Sequence, residues 1–287
     1  MTQHGLSFDI EDWHQLVSLR VDGTPGAASK SVDGCVERIL DFCDEQGIKA
    51  TFFVVGFLAE QRPHLVTMIA SRGHEIASHS LRHRLVHSMT TAEFDDDLRA
   101  SKYLLEDITG AEVVGFRAPE FSVQRLGHPC FAALAKAGFL YDSSVFPVEG
   151  LRYGISGAPH APFTMATDEG DLVELPLATT PLGRWRLPIA GGSHFRILPT
   201  ALVQRAIRVP DRMAESMVFY LHPYEFAREL LFLPGGLRRN RPIVKHIALH
   251  NFGIKRVERT LRMLCSRLKF VSLRDLATAT RNAHVKA

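Results

Sequence analysis

Three observations in the sequence predict an α/β fold built on a largely parallel sheet. Short apolar and β-branched runs alternate with longer stretches of helical periodicity. The repeated strand-then-helix order needs crossover connections, which set strands parallel with helices outside, as a barrel or an open sheet. Charged and imidazole residues recur directly after the strand-like runs, where such folds carry their sites. The 287 residues, 46% apolar, suffice for a full core in one large domain or two small ones.

Each element has a local reason. Residues 6–10, Leu6-Ser7-Phe8-Asp9-Ile10, read as a buried strand. Residues 31–45 read as a helix with Val32, Val36, Ile39, Leu40 and Cys43 on one stripe and Gly47 as its stop. Residues 51–55 are β-branched and aromatic, hence a strand. Pro63 opens the next helix, Gly73 closes it, and a short strand follows at 74–77. Hydroxyl residues begin a helix over 91–108, which Gly110 ends. The order continues with a strand at 113–116, a helix at 131–137 and a strand at 139–141. Later strands are expected at 172–177, 217–221 and 270–272, and helices at 201–207 and 257–268. Residues from about 148 to 170 read as a long loop, and Pro234 to Arg241 as a short basic run. That run is a solvated loop or a docking surface for an anionic substrate or lipid headgroup.

Composition excludes several classes. With 34 Lys+Arg against 31 Asp+Glu the net charge is +3, far from the basic excess of a dedicated nucleic-acid binder. No run approaches the ~20 apolar residues of a membrane span. Met1-Thr2-Gln3-His4-Gly5 leads directly into a strand with no signal-peptide pattern, which predicts a cytoplasmic protein. Cys35, Cys43, Cys130 and Cys265 lack Cys-x-x-Cys spacing and are expected to act as small apolar residues.

The chemistry follows the strands. After them come Asp9-Ile10-Glu11-Asp12, His79 to His83, Arg117 to Phe121, Asp142-Ser143-Ser144 and His222-Pro223-Tyr224. His79 and His83, four apart, would share one face of a helical turn, and with a carboxylate they make a familiar Zn²⁺ ligand set with a position open to water. His74-Glu75 does not begin a His-Glu-x-x-His motif, because Ser78 stands where the second histidine belongs. Amide hydrolysis also needs a base and an acid. Asp9 is the expected base, His222 the expected acid, and Arg117 the group that orients Asp9 by a charge-assisted bond. Asp9 and Glu11 point to one side of a strand, while Asp12 reaches that place only where the strand has ended. Either Glu11 or Asp12 serves as the acid ligand on this reading. Backbone amides near Phe121 are candidates for the oxyanion. Asp142 is read as a partner behind a catalytic group or as a helix cap.

In order and spacing these residues resemble the polysaccharide deacetylases of carbohydrate esterase family 4, the NodB homology domain, over about residues 5–226. Ser7-Phe8-Asp9 with Glu11-Asp12 is similar to the first motif, His79-Ser80-x-x-His83 to the second, and Arg117-Ala118-Pro119-Glu120-Phe121 to the third. Leu221-His222 stands for the last. The first motif departs from the usual adjacent aspartates, since Ile10 follows Asp9. Asp9-Ile10-Glu11-Asp12-Trp13, Tyr141 to Ser144, Glu174-Leu175-Pro176 and Gly191 to Arg196 resemble a subgroup found with exopolysaccharide and exosortase-type loci, related to peptidoglycan deacetylases and allantoinase-like proteins.

The resemblance implies a single domain over residues 1–287, a distorted (β/α)7–8 barrel with a C-terminal extension from about residue 227. It implies hydrolysis of N-acetyl groups from amino sugars of a polysaccharide or its precursor, with Asp9, His222 and Arg117 catalytic. Asp12, His79 and His83 would hold a divalent metal, zinc first, with Glu11 as the alternative acid, and Phe121 would shape the substrate groove. The partner is then an N-acetylated glycan. Two other readings stay open: an amidohydrolase of a small cyclic amide or ureide, and a non-catalytic carbohydrate-binding relative. Gly191 to Arg196 is either a loop over the groove or a tight structural turn.

Overall fold

Both faces of the first strand, β1 (Gln3–Ile10), are covered: Leu6, Phe8 and Ile10 are buried on one side, Ser7 and Asp9 on the other. That is why its sequence is nearly continuous in buried residues, as in central parallel strands. The computed structural model describes residues 2–149, 153–208, 215–229, 247–248 and 250–285. The basic run 234–241 lies outside the described residues.

After β1 come α1 (Trp13–Asp22), α2 (Ser31–Gln46), β2 (Thr51–Val54), α3 (Gly56–Gln61), α4 (Pro63–Ser71), β3 (Glu75–Ser78) and α5 (Thr91–Thr109). The chain continues through β4 (Gly115–Phe116), α6 (Cys130–Lys136), β5 (Tyr141–Asp142), β6 (Phe163–Thr167), β7 (Gly170–Glu174), β8 (Thr179–Leu182) and β9 (Trp185–Pro188). It ends with α7 (Ser193–Ile197), α8 (Thr200–Ala206), β10 (Val218–Leu221), α9 (Ile254–Cys265), β11 (Lys269–Val271) and α10 (Leu273–Val285).

Among the described residues the main sheet runs β10-β1-β2-β3-β4-β5-β7-β6, with β11 also paired to β1. All its pairs are parallel except β6 with β7. The sheet curls so far that Leu177, just past β7, bridges Val218 of β10, and Gly191 bridges Tyr220. The expected distorted barrel is therefore present as a curled sheet whose open side is spanned by single bridges. Cys35 and Cys43 on α2 and Cys130 at the start of α6 are buried free thiols.

Differences from the sequence reading have local causes. Part of the expected loop 148–170 forms β6, because it folds back on β7 as an antiparallel hairpin. Helix α1 follows directly on Asp12, whose side chain caps it by accepting from His14 N, while Trp13, Leu16 and Val17 turn inward. Short α3, the β8–β9 hairpin and α10 were also not expected. No described helix is long and apolar enough to cross a membrane.

The edge of the sheet away from the strands' carboxyl ends is sealed by polar bonds. Glu75, at the start of β3, accepts from Thr51 Oγ1 at 2.5 Å, from Tyr141 Oη at 2.9 Å and from Arg274 N at 2.9 Å. Burial pushes its carboxyl up, against those hydrogen bonds and the Arg274 charge. Thr51 Oγ1 in turn accepts from Leu273 N at 2.7 Å, so α10 docks on this cluster.

Tyr141 reaches Glu75 across Gly115, where an added Cβ would lie 2.2 Å from the phenol oxygen. Gly115→Ala is expected to destabilise the fold by about 1–3 kcal/mol through overpacking. A lower urea midpoint at unchanged slope checks this; an unchanged midpoint would show that the tyrosine moves without loss.

Candidate active site

Strand register brings the chemistry together. Ile10, Val54, Ser78, Phe116 and Asp142 are successive partners across β1 to β5. The next residue along each strand therefore stands in one row, which includes Glu11, His79, Arg117 and Ser143. Phe8 pairs with Leu221, which levels Asp9 with His222 on the other side of β1. All lie at the carboxyl edge, where a cavity of about 180 Å³ is lined by Asp9, Glu11, His79, His83, Phe121 and His222, with α1 along one wall.

Arg117 is fully buried. Its Nη1 donates to Asp9 Oδ1 at 2.7 Å and to Ser7 Oγ at 2.8 Å, its Nε to Ser143 O at 3.0 Å, and its Nη2 to Ser143 Oγ at 2.8 Å. The guanidinium lies 4.1 Å from the centre of the Phe53 ring. Breaking so buried a pair leaves a charge without compensation, at a cost of about 3–5 kcal/mol.

The Arg117 carbonyl faces His79 Nδ1 at 2.8 Å. A carbonyl only accepts, so Nδ1 carries the hydrogen and the neutral ring presents a lone pair at Nε2. That lone pair faces Glu11 Oε1 at 2.9 Å, and His83 Nε2 is also 2.9 Å from the same oxygen. Acceptors so close repel unless a proton or a cation lies between them. With protons in that place, the His83 charge and the bonds from both imidazoles outweigh the upward push of burial and hold the Glu11 carboxyl well below the usual carboxylate range. The ligand atoms of Glu11, His79 and His83 lie within 4.8 Å of one another, and all three residues are buried. This donor set of two imidazoles and a carboxylate fits a divalent cation.

The expected helical turn from His79 to His83 is absent. Ser80 and His83 have φ of 68° and 53°, and Asp97 of α5 accepts from Leu81 N and Arg82 N at 2.9 and 3.2 Å. The α3 amides of Gly56 and Phe57 donate to Ser80 O and Leu81 O. Glu120 and Phe121, on the loop after β4, also have positive φ. Strained backbone therefore gathers on the two loops that carry His83 and Phe121, held by the packing around them.

His222 N donates to Glu225 Oε2 at 3.0 Å, and the ring's Nδ1 lies 3.4 Å from that oxygen. The ring stacks on Tyr224 with centroids 4.7 Å apart. Burial alone would lower its pKa. The Glu225 bond and the charges of Glu11, Glu225 and Asp9 overcome this and raise it, so the ring keeps its proton more readily than a free imidazole. Phe121 lines the cavity edge-on to Tyr220 at 4.9 Å. Its amide donates to Ala118 O at 3.1 Å, which commits that amide and removes it as an oxyanion donor.

Two assignments change. Asp12 does not join the histidines: it caps α1 and accepts from Ser29 N at 2.6 Å and Ser29 Oγ at 2.8 Å. Glu11, the alternative acid, takes that place. Asp142 caps no helix; it accepts from Ser144 N and Oγ, and Ser144 Oγ accepts from Ala118 N, which braces the backbone beside Arg117. Sequence reasoning gave no role to Glu225, although its position three residues after His222 is a capping-box spacing. Nor did it foresee that His250 would line the cavity; Arg196, from the segment read as a loop over the groove or a tight turn, lines it as well.

An arginine-held carboxylate, an imidazole pair on a glutamate and an opposed histidine thus meet at the carboxyl edge of a curled parallel sheet. Residues 13–138 match the family Polysaccharide deacetylase, so this segment of the chain carries a polysaccharide deacetylase (NodB, carbohydrate esterase family 4) domain. Residues 143–278 match a domain of unknown function, DUF3473. His79, His83, Arg117 and Phe121 fall in the first segment, His222 in the second, and Asp9 and Glu11 precede both.

Among curated relatives, the peptidoglycan deacetylase-like protein FGM2 of Gibberella zeae is 36% identical over 127 residues, 43% of this chain and 37% of the relative. The peptidoglycan deacetylase of Helicobacter pylori is 30% identical over 110 residues, 38% of this chain and 36% of the relative. The matches thus span little more than a third of those proteins' lengths. Among solved structures, one from Mycobacterium smegmatis described as a polysaccharide deacetylase superposes with a TM-score of 0.65 at 20% identity, over 99% of this chain and 92% of that one. The Puue allantoinase superposes with a TM-score of 0.60 at 15% identity, over 96% and 89%. These likenesses concern the fold.

Glu11→Gln is expected to weaken Zn²⁺ binding by more than about 100-fold, whereas Asp12→Asn should leave metal content unchanged. Metal analysis and calorimetric titration of both variants check the assignment, and the reverse pattern would restore Asp12 as the ligand.

Proposed function

We propose that the protein is a metal-dependent deacetylase that removes the N-acetyl group from an amino sugar of a polysaccharide or its precursor. The observation that carries this reading is one cavity holding the Glu11–His79–His83 trio, the Arg117-bound Asp9 and the Glu225-bound His222. Glu11, His79 and His83 would hold the divalent ion, with zinc the best match to two imidazoles and a carboxylate. When bound, such an ion polarises a carbonyl and acidifies water.

The chain's own residues supply the rest. Arg117 holds Asp9 by a charge-assisted hydrogen bond and aims it at the cavity, where Asp9 takes a proton from the attacking water. His222, with its pKa raised, keeps its proton more readily than a free imidazole and delivers it to the amine as acetate leaves. Phe121 and Tyr220 form an apolar wall beside the reacting group. The family match and the peptidoglycan deacetylase named among the relatives support an N-acetylated glycan as substrate. The subgroup resemblance supports a glycan of exopolysaccharide synthesis.

One observation favours a second reading. About 180 Å³ is below the 300–1,000 Å³ of typical drug-sized ligand pockets, so the cavity takes the acetamido end of one sugar or a small cyclic amide. The substrate panel therefore includes both.

Purified protein loaded with Zn²⁺ is expected to release acetate from N-acetylglucosamine oligomers. Chelation should abolish release, added Zn²⁺ should restore it, and Asp9→Asn should lower kcat by about 10²–10⁴-fold. Ring opening of a cyclic ureide without acetate release would favour the second reading. Full activity after thorough chelation would remove the metal from the mechanism.

A further inference from the structure

The Gly191 to Arg196 segment has no part in the mechanism above, yet it is built into the site. Gly191 lies against β10: its neighbour's carbonyl, Ala190 O, accepts from Tyr220 N at 2.8 Å, and Gly192 N donates to Tyr220 O at 3.2 Å. A Cβ on Gly191 would sit 2.0 Å from Tyr220 O, and its φ is 129°. Glycine is required there by contact and by conformation. The single turn of α7 starts immediately afterwards and turns Ser193 and Arg196 to the cavity.

Arg196 is 4% exposed and Glu225 3%. Arg196 Nε lies 3.4 Å from Glu225 Oε1, and the other oxygen of Glu225 receives His222 N and faces His222 Nδ1. Arg196 is fixed in turn: its Nη1 donates to His250 O at 2.8 Å, and its own carbonyl accepts from Arg256 Nη1 at 3.0 Å. Gly253 packs so tightly on that carbonyl that a Cβ would stand 2.2 Å from the oxygen. The charged groups that act on His222 are Glu225 on its own turn and Glu11 and Asp9 from β1, with Tyr220 and Tyr224 packed on the ring.

We propose that Arg196 is a positioning residue for the acid: it stands against Glu225 and holds that carboxylate in place, and Glu225 fixes the hydrogen of His222 on Nδ1, leaving Nε2 to serve the leaving amine. Residues 143–278 then contribute to the site an acid arm made of Arg196, Glu225 and His222, with the His250 to Arg256 segment as its brace. This assignment rests on the hydrolase reading for its role, but not for its geometry.

The test separates the two. Metal-free protein carrying ¹⁵N-histidine is compared with Arg196→Met, Glu225→Gln, the double variant and Arg196→Lys, each checked for folding by near-UV circular dichroism. The neutral His222 ring is expected as the Nδ1–H tautomer in the wild type and Arg196→Lys, and as a mixture in the other three. With Zn²⁺ and the acetylated oligomer, Arg196→Met and Glu225→Gln should each lower kcat about 10- to 100-fold with KM little changed, part of the 10²–10⁴-fold a placed acid supplies. The double variant should fall no further than Glu225→Gln. A wild-type tautomer and kcat in Arg196→Met, or losses that multiply in the double variant, would overturn the proposal. Should Arg196→Met not fold, the tautomer in the charge-neutral double variant and in Arg196→Lys decides it. Wild-type protein inactive on every acetylated substrate would sink the functional reading while the tautomer still judges the arm.

Discussion

One buried arginine links both halves of the proposed chemistry. The side chain of Arg117 holds Asp9, the proposed base, while its main-chain oxygen receives the Nδ1 hydrogen of His79. The base and the cation-facing imidazole are therefore oriented by one residue, fixed by four side-chain hydrogen bonds and an aromatic face. A guanidinium suits this place because its planar fork donates in several directions at once, which an ammonium on a flexible stem does not. Removing water from so many charges is tolerable only because each finds a partner. Asp142 and Ser144 belong to the same argument: they lie outside the cavity and brace the backbone beside the arginine.

Much of this was legible in the sequence because parallel strands deliver their next residues to a common edge. Once the strands ending near Ile10, Ala77, Phe116, Tyr141 and Leu221 were recognised, the residues after them had to meet. The register turned that expectation into a row. The choice between Glu11 and Asp12 was not legible, because it depends on where the strand stops and the helix starts. β1 ends at Ile10, Glu11 N turns back to Asp9 O, and Asp12 becomes the cap of α1. An aspartate suits a cap, and the longer glutamate reaches two imidazoles. The His79–His83 pair was found for an incomplete reason: spacing suggested a helical turn, but tertiary bonds from α3 and Asp97 impose a strained loop instead.

The family match and the geometry divide the molecule differently. The matched deacetylase segment carries His79, His83, Arg117 and Phe121, while Asp9 and Glu11 precede it and His222 follows. A site divided in this way cannot form unless the curled sheet brings its end round to its beginning. β10 does this by pairing with β1, and the bridges from Leu177 and Gly191 hold its other side. The second segment thus shares one sheet with the first.

The two edges of the sheet show why a buried carboxylate alone does not mark a site. At the sealed edge, Glu75 is surrounded by Thr51, Tyr141 and the Arg274 amide, and its carboxyl is pushed up. Every contact is a donor from the fold itself, and α10 covers the cluster, so the group is spent on docking a helix. At the open edge, one Glu11 oxygen lies 2.9 Å from Nε2 of both His79 and His83, contacts that need a proton or a cation between the atoms, and a cavity lies beside it. The difference is one of satisfaction: a polar cluster complete within the protein is structure, and one that needs an added proton or cation and opens on a cavity is a candidate place for chemistry.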